Sequence, residues 1–369
     1  MRNIIFAAIA ILLGLSIPLA GGEIILRFLP VSDGFGPEPV NAAHPVFHYA
    51  PNRDLTWSHG WNFDNVNRVH INNAGYVNAQ SYELDDGRPL LAVVGDSYVE
   101  AAMIPYPETL QGRLAAIAGP DRRVYSFAAS NAPLSQYLVW AREARMTWKA
   151  QALVIVIIGN DFDESLAEYR VIPGLHHYVE SADGSLKLTR FDFSPSLFRS
   201  IAERSTLTRY LALNLRVQDP VRRLLDFSGE PDRGYAGNTA VIASPERIDK
   251  AKAAARAFFA DLTAYAGWRA DQVVFVVDGL RYPDEAKLHA DSYFAQMRSY
   301  FIAQAQRAGF ETIDMDAWFL PLAEAGPVRF EFPRDGHWNG AAHGLAADAV
   351  ARSAMFLRWC RCRPAGASD

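Results

Sequence analysis

The sequence has few cysteines and no excess of basic charge, and both absences narrow what the protein can be. Among 369 residues there are two cysteines, Cys360 and Cys362, too few for a disulfide framework. Two apart on a helix, they would face different sides, and a bridge would need extended backbone, so we expect free thiols. Lysine and arginine number 36 against 41 acidic residues, which gives no basic surface for nucleic acid. Since His176 and His177 lack the spacing of metal ligands, we expect neither a metal nor a cofactor.

One long hydrophobic run is present, at the N-terminus. No charged residue occurs from Ile4 to Gly22, and Arg2 precedes the run. A helix of this length spans about 28 Å, close to the ~30 Å of bilayer hydrocarbon. We expect residues 1–29 to form a retained membrane anchor. The alternative is a cleaved secretion signal, since the residues from Ala20 loosely fit a small-residue cleavage site. Either interpretation places the body of the protein in the periplasm or outside the cell.

Beyond this run, short apolar segments alternate with helical patterns. This alternation indicates repeated β-α units and a parallel sheet covered on both faces. We expect a linker and cap over residues 30–85, with a short hairpin within 61–85, and one α/β domain over 86–369 with an insertion at 163–243. The predicted strands are Leu90–Val94, Arg123–Phe127, Ala152–Ile158, Gln272–Val277 and Glu311–Asp314, and the predicted helices are Glu108–Ile117, Pro133–Lys149, Ser244–Ala266, Ala290–Ala308 and Gly340–Trp359.

The insertion has patterns of its own. Asp183-Gly184 is typical of a hairpin turn, and the spacing over Leu197–Leu225 predicts a helix. A connection much longer than a normal crossover predicts a lid or a substrate-facing subdomain.

The chemistry of the chain is centred on the first predicted strand of the sheet. The apolar run Leu90–Val94 stops at Gly95-Asp96-Ser97, and a helical segment follows. Residues at the end of a parallel strand lie at the carboxyl edge of the sheet, where α/β folds bind ligands. A serine at this turn can be exposed, with its own backbone N–H beside it. Ser97 is therefore the candidate nucleophile.

A serine needs a base to take its proton and a carboxylate to orient that base. Near the C-terminus, Asp335 and His337 lie two apart in a loop that contains proline and glycine, and such side chains share a face of extended backbone. They are the predicted acid and base of a triad with Ser97. His343 is the competing base. It falls within a predicted helix without a carboxylate near it in sequence, so we expect it to make a local hydrogen bond instead.

Donors for a developing oxyanion are expected at the neighbouring strand ends, together with the N–H of Ser97. Asn160 follows the third predicted strand, and its amide N–H₂ can point across the same edge. The second strand ends in a turn of small residues, from Ser126 to Asn131, that can present a backbone N–H. Three strand ends and one C-terminal loop thus converge on a single edge.

These blocks resemble the SGNH/GDSL hydrolase superfamily, whose four blocks carry Ser, Gly, Asn and His. Gly95-Asp96-Ser97 matches the first block, Asn160 with Asp161 the third, and Asp335 with His337 the fourth. The resemblance covers the chain from about Leu90 onward, apart from the insertion. It implies a three-layer α/β/α, flavodoxin-like fold and the mechanism of a serine esterase or acyltransferase.

Three positions depart from the family pattern. The second-block glycine is replaced by Asn131, which tolerates left-handed backbone, although that block also aligns with Ala128. Ile158 stands at the first glycine of the third block, and Arg334 stands where the family commonly has its aspartate, three residues before the histidine. The Asp-x-His-Trp arrangement that ends at Trp338 instead resembles alginate-type O-acetyltransferases and related exported proteins.

The sequence therefore predicts an exported ester hydrolase that acts without a cofactor. Its expected substrate is an acylated small molecule or a cell-envelope polysaccharide, from which it removes acetyl or other acyl groups. Two alternatives stay open. One is a polysaccharide O-acetyltransferase that uses the same triad. The other is a non-catalytic polysaccharide-binding or assembly protein, against which the intact serine, aspartate, histidine and asparagine argue.

Overall fold

The computed structural model describes residues 2–196, 202–217, 243–333 and 335–362. Single 3₁₀ turns lie at Tyr106–Glu108, Asp163–Ser165 and Ala270–Gln272, and a π turn at Tyr210–Asn214. In chain order the elements are α1 (Arg2–Leu26), β1 (Arg53–His59), β2 (Asn65–Ile71), β3 (Leu90–Gly95), α2 (Ser97–Glu100), α3 (Leu110–Ala118), β4 (Arg123–Ala128), α4 (Leu134–Met146), β5 (Ala152–Ile157), β6 (His176–Glu180), β7 (Leu186–Arg190), α5 (Thr206–Arg209), α6 (Pro245–Ala264), β8 (Val273–Val277), α7 (Pro283–Leu288), α8 (Tyr293–Arg307), β9 (Glu311–Asp314), α9 (Asp316–Ala325), β10 (Glu331–Phe332), β11 (Asp335–Trp338), α10 (Gly340–Ala351) and α11 (Ala354–Cys360).

The centre of the fold is a parallel sheet. Among the described residues it has five strands in the order β4–β3–β5–β8–β9, and every neighbouring pair runs parallel. These are the strands predicted from the sequence, with ends that differ by at most one residue. The pairing of Gly95 with Ala128 aligns the carboxyl ends of β3 and β4, so the residues that follow these strands emerge at one edge.

Helices cover both faces of this sheet, because successive residues of a strand point to opposite sides. In β3, Leu90, Ala92 and Val94 belong to the core shared with α4, α6 and α8. Leu91 and Val93 belong to the core shared with α3, α9, α10 and α11. A strand buried on both faces needs the uninterrupted apolar run that the sequence shows. The predicted three-layer α/β/α fold is confirmed.

The N-terminal run forms α1, and its last turn is attached to the insertion. Glu23 accepts hydrogen bonds from the N–H of Leu207 at 2.8 Å and from the hydroxyl of Ser205 at 2.9 Å. The apolar side chains of Ile17 and Leu19 are exposed. In the part of the chain that the structure describes, no helix combines the length and the apolar character that a membrane crossing requires.

An antiparallel hairpin, β1 with β2, packs beside the sheet. The sequence predicts a hairpin within 61–85, whereas β1 begins earlier, at Arg53. The prediction missed this strand because polar residues along both strands hide the alternation of apolar and polar positions. The side-chain amide of Asn67 donates to the carbonyls of Ala102 and Ile104 at 2.9 and 2.8 Å. The hairpin is thereby attached to the segment that follows α2.

The insertion contains the predicted turn. Gly184, with φ of 79°, lies between β6 and β7, where left-handed backbone favours glycine. Within the predicted helix Leu197–Leu225, residues 202–217 form short helical turns that include α5. The remainder of that prediction lies outside the described residues.

The C-terminus differs from its prediction in two ways. The single helix predicted over Gly340–Trp359 is two helices, since Ser353 starts α11 by accepting the N–H of Phe356 at 3.1 Å. The expectation of free thiols is also wrong, because Cys360 and Cys362 form a disulfide. Helix α11 ends at Cys360. Arg361 has left-handed backbone, with φ of 57°, and this turn brings Cys362 beside Cys360. The two Cα atoms lie 5.2 Å apart.

Candidate active site

The turn after β3 presents Ser97 as the first residue of α2. The close packing of this turn against α2 requires glycine at position 95, because a Cβ there would lie 2.5 Å from Cγ2 of Val99. The carboxylate of Asp96 accepts the N–H of Tyr98 at 2.9 Å, and its Oδ2 lies 3.1 Å from Oγ of Ser97. Asp96 thus bonds the backbone of the turn, and the turn is fixed at the carboxyl edge of the sheet.

Strand β11 brings the predicted base to this serine. Nε2 of His337 lies 2.8 Å from Oγ of Ser97, and its Nδ1 makes a short hydrogen bond with Oδ1 of Asp335. The same carboxylate oxygen accepts the backbone N–H of His337 at 3.1 Å. A ring that donates from Nδ1 to a carboxylate has Nε2 free to accept a proton. The arrangement can therefore deprotonate Ser97 as it attacks.

The electrostatics keep Asp335 charged. Burial raises the pKa of its carboxyl, but the hydrogen bond and the charge of His337 outweigh burial, and the pKa lies below its ordinary value. An ionised carboxylate here orients the imidazole and stabilises the imidazolium that forms during attack.

The competing base, His343, does not reach Ser97. It is fully buried in α10, and its Nδ1 accepts the N–H of Leu110 at 3.1 Å. Burial lowers its pKa to about 3. The expected hydrogen bond is present, but its partner lies on α3, far away in sequence, so this histidine connects two helices of one layer.

The two asparagines predicted as oxyanion donors lie just beyond the ends of β4 and β5. Asn131 has φ of 65°, the left-handed conformation that a glycine would adopt at this position. Ala128 remains within β4, paired with Gly95. Nδ2 of Asn160 donates to Oε2 of Glu164 at 3.0 Å. An amide N–H₂ has two hydrogens, and this contact uses one of them.

A buried arginine connects the two halves of the triad. Nη1 of Arg281 donates to the carbonyl of Gly336 at 2.6 Å, and its Nη2 donates to the hydroxyl of Tyr98 at 3.1 Å. The Tyr98 hydroxyl donates to the same carbonyl at 3.1 Å. Because Gly336 separates Asp335 from His337, this contact fixes their hairpin against the nucleophile turn. Arg281 follows β8 at the same edge, but no local sequence pattern marks it.

Asp278 completes the support of this hairpin. Its Oδ1 accepts Nε1–H of Trp338 at 2.8 Å, and its Oδ2 lies 3.5 Å from Nη2 of Arg281. Burial raises the pKa of the Asp278 carboxyl, and the charge of Arg281 acts against that rise. Trp338 is itself fully buried, so it packs in the core and does not line a pocket.

A cavity of about 640 Å³ lined by Asp271, Phe310, Glu311 and Arg358 lies at the opposite, amino edge of the sheet. It contains no residue of the triad. Across the described residues, no group of three or more His, Cys, Asp or Glu side chains is arranged to hold a metal ion.

Comparison with known proteins gives similarities in structure alone. No family model and no curated protein sequence matches the chain. It is similar to LAE5, an alpha/beta hydrolase enzyme from the metagenome of Lake Arreo, Spain, with 15% identity and a TM-score of 0.40 over 74% of this chain and 95% of that one. It is similar to the lipase/acylhydrolase from Enterococcus faecalis, with 11% identity and a TM-score of 0.38 over 76% and 100%. It is also similar to a carbohydrate acetylesterase family member from Sinorhizobium meliloti, with 7% identity and a TM-score of 0.34 over 74% of this chain and 100% of that one.

The fold and the geometry of the site agree with what the sequence resemblance implies. The parallel sheet between two helical layers, the contacts of Ser97 with His337 and of His337 with Asp335, and the place of Asn160 beyond a strand end are those that the SGNH/GDSL resemblance implies. A serine, a histidine and an aspartate are thus in contact at the carboxyl edge of a parallel sheet, as the resemblance leads us to expect.

Proposed function

We propose that the protein is a serine ester hydrolase of SGNH type, with Ser97, His337 and Asp335 as its catalytic residues. The observation that carries this proposal is the 2.8 Å contact between Oγ of Ser97 and Nε2 of His337. A carboxylate on the other ring nitrogen fixes the tautomer that this contact requires. No cofactor is needed for such a reaction.

The reaction proceeds through an acyl-enzyme. Oγ of Ser97 attacks the ester carbonyl carbon while His337 takes the hydroxyl proton. The oxyanion accepts hydrogen bonds from the backbone N–H groups of Ser97 and Asn131 and from Nδ2 of Asn160. When the C–O bond breaks, His337 returns its proton to the leaving alcohol. Water, deprotonated by His337, then attacks the acyl carbonyl and releases the acid and the free serine.

The proposed substrate is an acyl ester, in particular an acetyl ester, on a carbohydrate or another cell-envelope molecule. Support comes from two half-buried aromatic side chains near the segment that follows the nucleophile turn. Trp57 of β1 and Phe332, which pairs with Asp335 in the β10–β11 hairpin, both pack against the cluster of Ala101, Met103 and Ile104. Aromatic rings beside a hydrolytic site can stack against sugar rings.

Labelling with a fluorophosphonate probe tests the serine mechanism. The wild-type protein is expected to be labelled, whereas Ser97→Ala and His337→Ala are expected to be unlabelled and to lose hydrolysis of short-chain p-nitrophenyl esters. His70→Ala is the matched control, because His70 also contacts an aspartate, Asp54, at 2.8 Å. Equal labelling of wild type and Ser97→Ala would contradict the proposal.

A polysaccharide O-acetyltransferase is the second candidate, favoured by the Asp335-Gly-His337-Trp338 block. It would use the same acyl-enzyme but pass the acyl group to a sugar hydroxyl. A labelled acetyl donor offered with and without polysaccharide separates the two: release of acetate alone supports the hydrolase, and label on the polysaccharide supports the transferase. If neither occurs and Ser97→Ala leaves glycan binding unchanged, a non-catalytic binding protein is the better description.

The proposal also includes export of the body of the protein from the cytoplasm by means of its N-terminal apolar run. The uncharged run from Ile4 to Gly22 and the exposed apolar side chains of α1 support it. A fusion of residues 1–60 to alkaline phosphatase is expected to be active, since that reporter works only after export. An inactive but expressed fusion would contradict export.

A further inference from the structure

The start of the insertion connects the two asparagines proposed as oxyanion donors. Nη2 of Arg170 donates to Oδ1 of Asn131 at 3.0 Å, and its Nη1 pairs with the carboxylate of Glu164. The other oxygen of that carboxylate accepts Nδ2–H of Asn160 at 3.0 Å. A continuous chain of contacts therefore runs from Asn131 through Arg170 and Glu164 to Asn160, across the ends of β4 and β5.

Two residues in the middle of this chain of contacts are buried, and their burial restricts which groups can face each other. Asn160 and Glu164 are buried, with 4% and 3% of their surfaces exposed, whereas the Arg170 side chain is 34% exposed. A buried carboxylate needs a cation or hydrogen-bond donors to offset its loss of water, and Arg170 and Asn160 supply both. Because a carboxylate only accepts hydrogen bonds, Glu164 also determines which end of the Asn160 amide faces it.

A histidine of the insertion hairpin holds the loop that bears these two residues. Nδ1 of His177 lies 3.0 Å from the carbonyl of Glu164, and its Nε2 accepts the N–H of Ile172 at 3.1 Å. The neutral ring can make both bonds, since one nitrogen donates and the other accepts. The loop from Glu164 to Ile172 is thereby attached at both ends to β6.

We propose that Glu164 and Arg170 are positioning residues of the oxyanion hole. This inference rests on the proposed function, because it assigns both residues a role in that reaction. Glu164 takes one hydrogen of the Asn160 amide and so directs the other toward the substrate oxygen. Arg170 holds the Asn131 side chain, and with it the left-handed backbone that presents the Asn131 N–H.

The expected effect is on the chemical step. Removing one oxyanion donor costs about 10²–10³ in kcat, and a misdirected donor is expected to cost part of that, about 10- to 100-fold in Glu164→Gln and Arg170→Met. The KM for p-nitrophenyl acetate should stay within about twofold, because these contacts matter most in the transition state. Arg170→Lys keeps the charge but not the forked geometry, so its kcat should lie between those of wild type and Arg170→Met.

The control and a double-mutant cycle separate positioning from general damage. Arg190→Gln removes another arginine of the insertion, one that pairs with Asp192 at 2.7 Å, and should leave kcat unchanged. In an Asn160→Ala background, Glu164→Gln should reduce kcat by less than about twofold further, because the donor that it orients is absent. Losses that multiply fully would overturn the role of Glu164, whether or not the variants are less stable.

Failure of this inference and failure of the proposed function give different results. If the wild-type enzyme is labelled by fluorophosphonate and turns over ester while Glu164→Gln and Arg170→Met retain its kcat, the positioning role is wrong and the function stands. If the wild-type protein is neither labelled nor active on any ester, both are wrong.

Discussion

The two halves of the site are held in different ways. The nucleophile–base half is fixed by buried groups: Arg281 and the Tyr98 hydroxyl bind the carbonyl of Gly336, and Asp278 binds the indole of Trp338. The oxyanion half depends on Arg170, which is 34% exposed on a loop of the insertion. One half lies in the core of the domain, and the other combines the buried Asn160 and Glu164 with a partly exposed arginine.

This difference suggests how the same fold changes its chemistry. A substitution in the buried half disturbs packing and charge compensation, so it should lower stability together with activity. Arg170 is partly exposed, so its replacement should cost less stability than that of Arg281, although Glu164 then loses its cation, and the larger effect should be on the rate. Variation in the insertion can therefore change the rate while the triad stays in place.

The largest effect on activity is expected at Asp335, the carboxylate that contacts His337. Asp335→Asn should reduce kcat by about 10⁴-fold, because an amide can donate to Nδ1 of His337 and leave the proton on Nε2, which then cannot accept from Ser97. Steady-state hydrolysis of p-nitrophenyl acetate measures this loss. A drop of less than about tenfold would show that His337 does not depend on this carboxylate.

A smaller effect is expected at the arginine that joins the two parts of the triad. Arg281→Met should lower kcat by about 10²-fold, since a misplacement near 1 Å is enough for such a loss. It should also lower the free energy of unfolding by about 3–5 kcal/mol, because Asp278 stays buried without its cation. Arg281→Lys should recover part of the stability but little of kcat, as an ammonium does not reproduce the fork.

The control for this prediction is Arg329→Gln. Arg329 contacts the carboxylate of Glu331 at 2.9 Å, and Arg281 lies 3.7 Å from the same carboxylate. Arg329 is largely exposed, so its loss should change neither kcat nor stability. If Arg281→Met were as active and as stable as Arg329→Gln, the buried half would not need its arginine, and the contrast between the halves would disappear.

The same contrast explains what the sequence could and could not predict. The five strands follow from apolar runs, and the pairing of Asp335 with His337 is a local relation that spacing reveals. Arg281 reaches Tyr98, and Arg170 reaches Asn131, across long distances in sequence. Glu164 contacts Asn160 and Arg170 within a few residues, but in an irregular loop. No periodicity records either kind of contact. The disulfide was missed for a local reason: the expectation of free thiols assumed helical backbone across both cysteines, whereas the left-handed Arg361 lies between them.

The smallest expected effect on activity is at Asp96, which directly precedes the nucleophile Ser97. Burial raises the pKa of its carboxyl from 3.8 to about 6. The folded protein therefore holds this proton more tightly than the unfolded chain does. Its contribution to stability is present at low pH and is lost as the pH rises from about 4 through 6.

Asp96→Asn should remove that dependence, because an amide does not titrate, while its oxygen can still accept the N–H of Tyr98. Relative to wild type, the variant should gain stability between pH 4.5 and pH 7.5, measured as the difference in the free energy of unfolding by urea. Asp85→Asn, at an exposed position, serves as the control. The kcat should stay within about tenfold of wild type, since the hydroxyl of Ser97 can still donate to His337. A variant that loses stability relative to wild type over this pH interval would contradict the prediction. It would show that Asp96 is ionised in the folded protein and that a buried negative charge lies next to Ser97.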